Sequence, residues 1–155
     1  MALWLINIIY VMKTNLKNKL NLIKAKNYAS KIDGVSSFNI SFLHENEFVW
    51  HREKLMEINK IDNIIKKKVF NLPIKRNVLV REVESTLNVK KDTICNLFYY
   101  ENICISFCVE NFSNFILSLF KINRTYDFSL TLTSPDRVIV LSDNEYDIHL
   151  YNIQK

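Results

Sequence analysis

The residues best suited to chemistry in this chain gather near its end. Asp143, Glu145, Asp147 and His149 lie close together, with Tyr146 and Tyr151 interleaved. Side chains alternate between the two faces of an extended strand, so Glu145, Asp147 and His149 share one face. Carboxylates and an imidazole on one face could hold a divalent cation or pass a proton. The simpler reading is a solvated outer strand and turn that offers these groups to a protein partner. Aromatic rings among charges are common components of an interaction hot spot. On this reading Asp143, Glu145, Tyr146, Asp147, His149 and Tyr151 are the expected partner-binding residues.

The remaining reactive groups are not spaced for catalysis. His44, His51 and His149 are scattered, and Cys95, Cys104 and Cys108 contain no CxxC pair of the kind a zinc site uses. An odd number of cysteines in apolar, β-rich sequence fits buried thiols in a reducing compartment. With one glycine in the chain, no Gly-rich phosphate loop can form. No GxSxG elbow and no HExxH helix occurs. The chain is expected to be no enzyme and to take no metal and no cofactor.

These residues need a scaffold, and 155 residues of which 48% are hydrophobic suffice for one domain over positions 1–155. The charge on it is uneven. Met1–Lys91 carries 17 basic and 8 acidic residues, whereas Asp92–Lys155 carries 4 and 8. Oppositely charged halves steer association with a patterned partner.

Ala2–Met12 is almost wholly apolar, but eleven residues are too few for a helix to cross a bilayer, which takes about 20. No basic residue precedes the run and no small-residue cleavage site follows it. It reads as a buried strand or helix end, next as an extension upstream of a start at Met12, and only third as a membrane anchor. A cytoplasmic protein with no membrane partner is expected.

Periodicity places the elements. Thr14–Lys31 reads as a helix, with Leu16, Leu20 and Ile23 as its apolar stripe, closed by Asp33-Gly34. Ser37–Leu43 alternates as a strand, His44–Glu47 turns, and Phe48–Trp50 reads as a short return strand. Arg52–Val69 has helical spacing at Leu55, Ile58, Ile61, Ile65 and Val69, with Lys66–Lys68 in its last turn. Asn77–Asn88 is a further helix. Thr93–Tyr100 and Ile103–Val109 suggest a hairpin turning at Glu101-Asn102, which sets Cys95 opposite Cys108 and Tyr99 opposite Cys104. Phe112, Phe115, Ile116, Leu119 and Phe120 form the stripe of a core-facing helix capped by Asn111 or Ser113. Strands at Tyr126–Thr133, Arg137–Leu141 and Tyr146–Asn152 complete an antiparallel meander. The expected fold is α+β, a central antiparallel sheet of five or six strands with flanking helices.

Two resemblances bear on function. From Asn77 to Asn152 runs a helix, then a strand pair carrying Leu97-Phe98-Tyr99-Tyr100-Glu101-Asn102. A Phe-rich helix follows, then strands with Tyr126-Asp127-Phe128 and Asp136-Arg137-Val138-Ile139-Val140, ending at Asp143-Asn144-Glu145-Tyr146-Asp147. This order resembles small α+β immunity proteins of bacterial toxin systems, including contact-dependent inhibition. The resemblance implies a protein that binds and neutralises a cognate toxin domain, a nuclease for example, and catalyses nothing. The alternative rests on Val80–Leu97, which resembles a helix-turn-helix, with Val83, Leu87, Val89, Ile94 and Leu97 at core positions and Asn88 at the turn. It implies a DNA-binding regulator, the one reading with a nucleic-acid partner. Against it, Glu84 stands where two helices should touch, and Lys91–Tyr100 is rich in β-formers.

Overall fold

The C-terminal meander forms the middle of the fold, and the chain's first half supplies both of its edges. In the computed structural model, which describes residues 2–100 and 102–155, the elements run α1 (Ala2–Ala29), β1 (Val35–Phe42), α2 (Val49–Ile58), β2 (Lys67–Asn71) and α3 (Arg76–Leu87). They continue with β3 (Thr93–Tyr99), β4 (Ile103–Val109), α4 (Phe112–Asn123), β5 (Phe128–Thr133), β6 (Asp136–Asp143) and β7 (Asp147–Gln154). All seven strands join one antiparallel sheet in the order β1-β4-β3-β5-β6-β7-β2. The α+β class is as the sequence predicts, with β2 as a strand beyond the expected five or six.

The ladder registers sort every strand residue onto one of two faces. One face carries Cys95, Leu97, Ile105, Phe107, Leu130, Ile139, Leu141, Ile148 and Leu150 and is covered by α3, α4 and the end of α1, which together form the main core. Phe115, Ile116 and Leu119 of α4 are fully buried there, as their spacing requires. Asn111 caps this helix, its Oδ1 accepting from Asn114 N at 2.9 Å. On the opposite face α2 lays Ile58 on Val138, Val140 and Tyr151, and Phe48, just before it, packs edge-on against Phe98 of β3.

Several expectations need correction. Leu16, Leu20 and Ile23 are exposed rather than buried; α1 turns Ala25 and Ala29 to the core instead. Tyr10, Val11 and Met12 are likewise exposed, which rules out a buried end at those three positions. Phe48–Trp50 is no strand: Phe48 takes a left-handed conformation (φ 54°) and α2 starts at Val49. The long helix over Arg52–Val69 stops at Ile58, because Asn63 Nδ2 donates to the carbonyls of Ile58 (2.9 Å) and Lys60 (3.1 Å) and so ends the helical ladder. Lys67, Lys68 and Val69 then lie in β2, not in a last helical turn.

The hairpin register is shifted by one. Ile94 pairs with Cys108, Cys95 with Phe107, and Phe98 with Cys104. Three positions therefore separate the strands; Tyr100 begins the turn with φ 53°, Asn102 ends it, and Glu101 lies outside the described residues. β3 is a strand throughout Thr93–Tyr99, so Val80–Leu97 does not form a helix-turn-helix. Glu84 is exposed and accepts from Ser113 Oγ at 2.6 Å, tying α3 to α4.

The shifted register puts Cys95 on the core face and Cys104 and Cys108 on the other, so Cys95 and Cys108 cannot bridge. Thiol counting on denatured, unreduced protein is expected to find three free groups. In the native protein only Cys108, which is half-buried, should react promptly; Cys95 and Cys104 should wait for unfolding. Burial pushes the Cys95 thiol from 9.0 up to about 12, against the opposing pull of Arg137. The native state therefore holds this proton more tightly than the unfolded chain does. The stability that a neutral Cys95 supplies is complete below about pH 9 and drains away as pH rises toward about 12. Urea midpoints should accordingly fall above about pH 9, and Cys95→Ala should flatten that fall. An alkaline slope equal to wild type in the variant would refute the assignment.

Candidate functional site

Antiparallel pairing brings the ends of alternate strands to one rim of the sheet. The end of β3, the start of β5, the end of β6 and the start of β7 meet there. Asp127, Asp143, Glu145, Tyr146 and Asp147 consequently share this rim with Tyr99 and Tyr100.

The β6–β7 turn is braced from both sides. Asp143 Oδ2 accepts from Tyr126 N at 3.2 Å and lies 3.3 Å from Thr125 Oγ1, while Asp127 Oδ1 accepts from Asp143 N. Thr125 Oγ1 donates to Asp127 Oδ2 at 2.8 Å. Across the turn Asn144 N donates to Asp147 O at 2.9 Å, and Leu72 N donates to Tyr146 O at 3.3 Å. The braced backbone presents Glu145 and Tyr146 outward, the latter 78% exposed. Their side chains border a groove of about 480 Å³ whose other wall is Leu72, Pro73, Ile74 and Tyr126.

The six expected partner-binding residues thus divide. Glu145 and Tyr146 are free at the surface. The Asp143 carboxylate is occupied by the turn itself. Asp147 lies 3.0 Å from His149 Nε2, and both are half-buried on the α2 side of the sheet. Tyr151 is a correction: it is buried beneath α2, its hydroxyl 3.4 Å from Asn63 Nδ2 and Lys67 Nζ 5.9 Å from its ring centre. Alternation correctly placed Tyr151 on the face of Asp147 and His149, but that is the face α2 covers. Among the described residues no three His, Cys, Asp or Glu side chains converge as metal ligands.

Beside the turn, the rim is aromatic. Tyr28, Tyr99 and Tyr100 pack in series, the first pair tilted and the second edge-to-face, with ring centres 5.1 and 4.6 Å apart. They line a cavity of about 510 Å³ with Asn123 and Asp127. Tyr28 donates to Asn123 Oδ1 at 2.9 Å, and burial raises its phenol above the usual range while that hydrogen bond works the other way.

A second cluster, under the start of α2, carries no signal in the sequence. His51 is buried, its Nε2 2.7 Å from Leu132 O and 3.4 Å from Asp136 Oδ1. The ring is packed edge-on by Phe48 and Trp50. A cavity of about 620 Å³ joins His51 to Cys104, Ser106, Asp136 and Lys155. The Cys104 thiol makes its contacts with Asn96 (3.9 Å) and Ser106 (3.7 Å), and burial raises it above its usual range. A nucleophilic cysteine needs a lowered value and a basic partner, so this cluster is arranged as a structural tie between α2 and the β5–β6 turn. Arg52 works similarly, donating to the carbonyls of His44 and Glu45 at 3.2 and 2.6 Å and holding the turn before α2.

The outer strand β1 is an open edge of eight residues without a charge. Phe38 and Phe42 on it are 48% and 37% exposed. Charges are the usual device by which an edge strand is kept from pairing with another chain.

No family model, no curated protein and no solved structure matches this chain.

Proposed function

We propose that this chain is an immunity protein that binds a cognate bacterial toxin domain and neutralises it by direct contact, in the cytoplasm. The observation that carries the reading is the braced β6–β7 turn, which displays Glu145 and a 78%-exposed Tyr146 on an acidic, tyrosine-rich rim. A rigid turn loses little entropy on binding, and an exposed tyrosine among carboxylates suits a basic partner surface. A nuclease toxin offers such a surface where it holds nucleic acid. The uncharged edge β1 is a second place where a toxin strand can add to the sheet.

The test is co-expression with the toxin domain encoded beside this chain. Wild type should restore growth. Glu145→Lys combined with Tyr146→Ala should weaken binding about tenfold or more and reduce rescue, with the urea midpoint unchanged. Asp143 and Asp147 are poor choices for reversal, since their side chains hold the turn and His149. Absence of any protection by wild type would refute the immunity reading. Full protection by the double variant would refute only the placement on this turn and direct attention to β1.

A further inference from the structure

From Tyr10 to Lys17, α1 stands clear of the domain. Its anchor is at the other end, where Ala25 and Ala29 are buried and Tyr28 packs against Tyr99. Lys24 Nζ lies 6.0 Å from the Tyr100 ring centre, already at the rim of the sheet. From Tyr10 to Lys17 every residue is exposed. A helix rises about 1.5 Å per residue, so roughly 30 Å of α1 lies N-terminal to Lys24.

The exposed face has a definite pattern. At about 100° per residue, Met12, Leu16, Leu20 and Ile23 fall within an arc of about 80°. These four side chains are 65%, 69%, 50% and 55% exposed. Lys13, Lys17 and Lys24 flank the stripe on one side, and Lys19 and Lys26 on the other. The buried Ala25 and Ala29 lie on the opposite face. All 28 residues of α1 include these five lysines and no acidic residue.

We infer that this arm lies on an anionic lipid surface, with the stripe in the acyl boundary and the flanking lysines among the phosphates. Such a lysine-flanked stripe is the pattern of helices that lie in the membrane interface. Charge decides against a second copy of α1 as the occupant, because pairing two stripes would face lysines with lysines and no carboxylate to offset them. The five lysines of α1, with no carboxylate among them, match the phosphates of an anionic bilayer on both sides of the stripe. This is surface attachment, not crossing: among the described residues no helix is long and apolar enough to span a membrane.

Vesicle co-sedimentation of the full chain tests it. The protein should pellet with equimolar phosphatidylcholine–phosphatidylglycerol vesicles at low salt and only weakly with phosphatidylcholine alone. Leu16→Glu, Leu20→Glu and Ile23→Glu together should lower partitioning at least about tenfold. Lys13→Gln, Lys17→Gln and Lys19→Gln together should do the same, and because those three side chains touch nothing in the core, the fold is retained. Failure of wild type to pellet with the anionic vesicles overturns the inference. So does pelleting that neither triple variant reduces. A dimer in sedimentation velocity that the glutamate variant dissolves, without lipid binding by wild type, would replace the bilayer with helix pairing.

Discussion

Replacing Gly34 with alanine is expected to cost about 3 kcal/mol or more, a large share of a typical domain's stability and a fall in Tm of roughly 10 °C. Gly34 is the chain's one glycine and links α1 to β1 with φ +74°. A left-handed backbone alone disfavours a side chain by about 1–2 kcal/mol. A Cβ there would also stand 2.4 Å from Asn111 O and 2.7 Å from Phe115 N, both backbone atoms that cannot swing aside. The same crossing carries hydrogen bonds from Glu110 N and Asn111 N to Gly34 O, at 2.8 and 3.0 Å, so relief by separation would break them. Gly34→Asn separates the two costs. Asparagine tolerates positive φ but keeps the Cβ, so a loss as large as alanine's assigns the effect to the collision. A urea midpoint within error of wild type for Gly34→Ala would refute the close approach.

The second large effect is expected at Phe115. Its ring is fully buried, 4.9 Å from that of Phe107 and 6.1 Å from that of Phe112. Truncating a buried phenylalanine costs about 3–5 kcal/mol, from lost transfer energy and the cavity left behind. For a domain of this size that is a fall in Tm of roughly 10 °C or more. Phe115→Leu should recover a substantial part. Leu117, on the outer side of the same helix, should tolerate alanine with a far smaller change in Tm; equal losses at the two positions would contradict the orientation of α4.

Where one face of an element is buried and filled by large side chains, the sequence reveals it. The stripes of α3 and α4 and the alternation through β5 and β6 are of this kind. Elements at the margin of the sheet depart from their sequence periodicity for definite reasons. In α1 the contact face uses alanines, which let the helix sit close, while the larger Leu16, Leu20 and Ile23 face outward. In β2 only Phe70 is buried, too little to show alternation, and the isoleucines before it coincide with a helical period. The hairpin shifted by one because Tyr100 adopts a left-handed conformation that its residue type does not announce. At the candidate site, Glu145 is legible as part of a turn, whereas Tyr146, which alternation assigns to the last strand, lies in that turn because β7 begins only at Asp147. The burial of Tyr151 is not legible, since it depends on α2 crossing a face that the strand pattern alone cannot know is covered. His51 had no local signal, because its partners Leu132 and Asp136 are distant in sequence and meet it only after the sheet has formed.

The strand order has a consequence for how the chain is made. Strand β1 pairs only with β4, and β2 only with β7. A ribosome releases the N-terminal half first, yet neither of its strands has a partner until the later half has emerged; for β2 that partner is β7, the last strand of the sheet to be made. Pairings this remote in sequence favour slow folding. The early half must therefore stay soluble while it waits, and its 17 basic residues against 8 acidic ones supply the mutual repulsion to do so. Completion of the domain is therefore a late event, with β7 closing a sheet whose edge strands were synthesised long before.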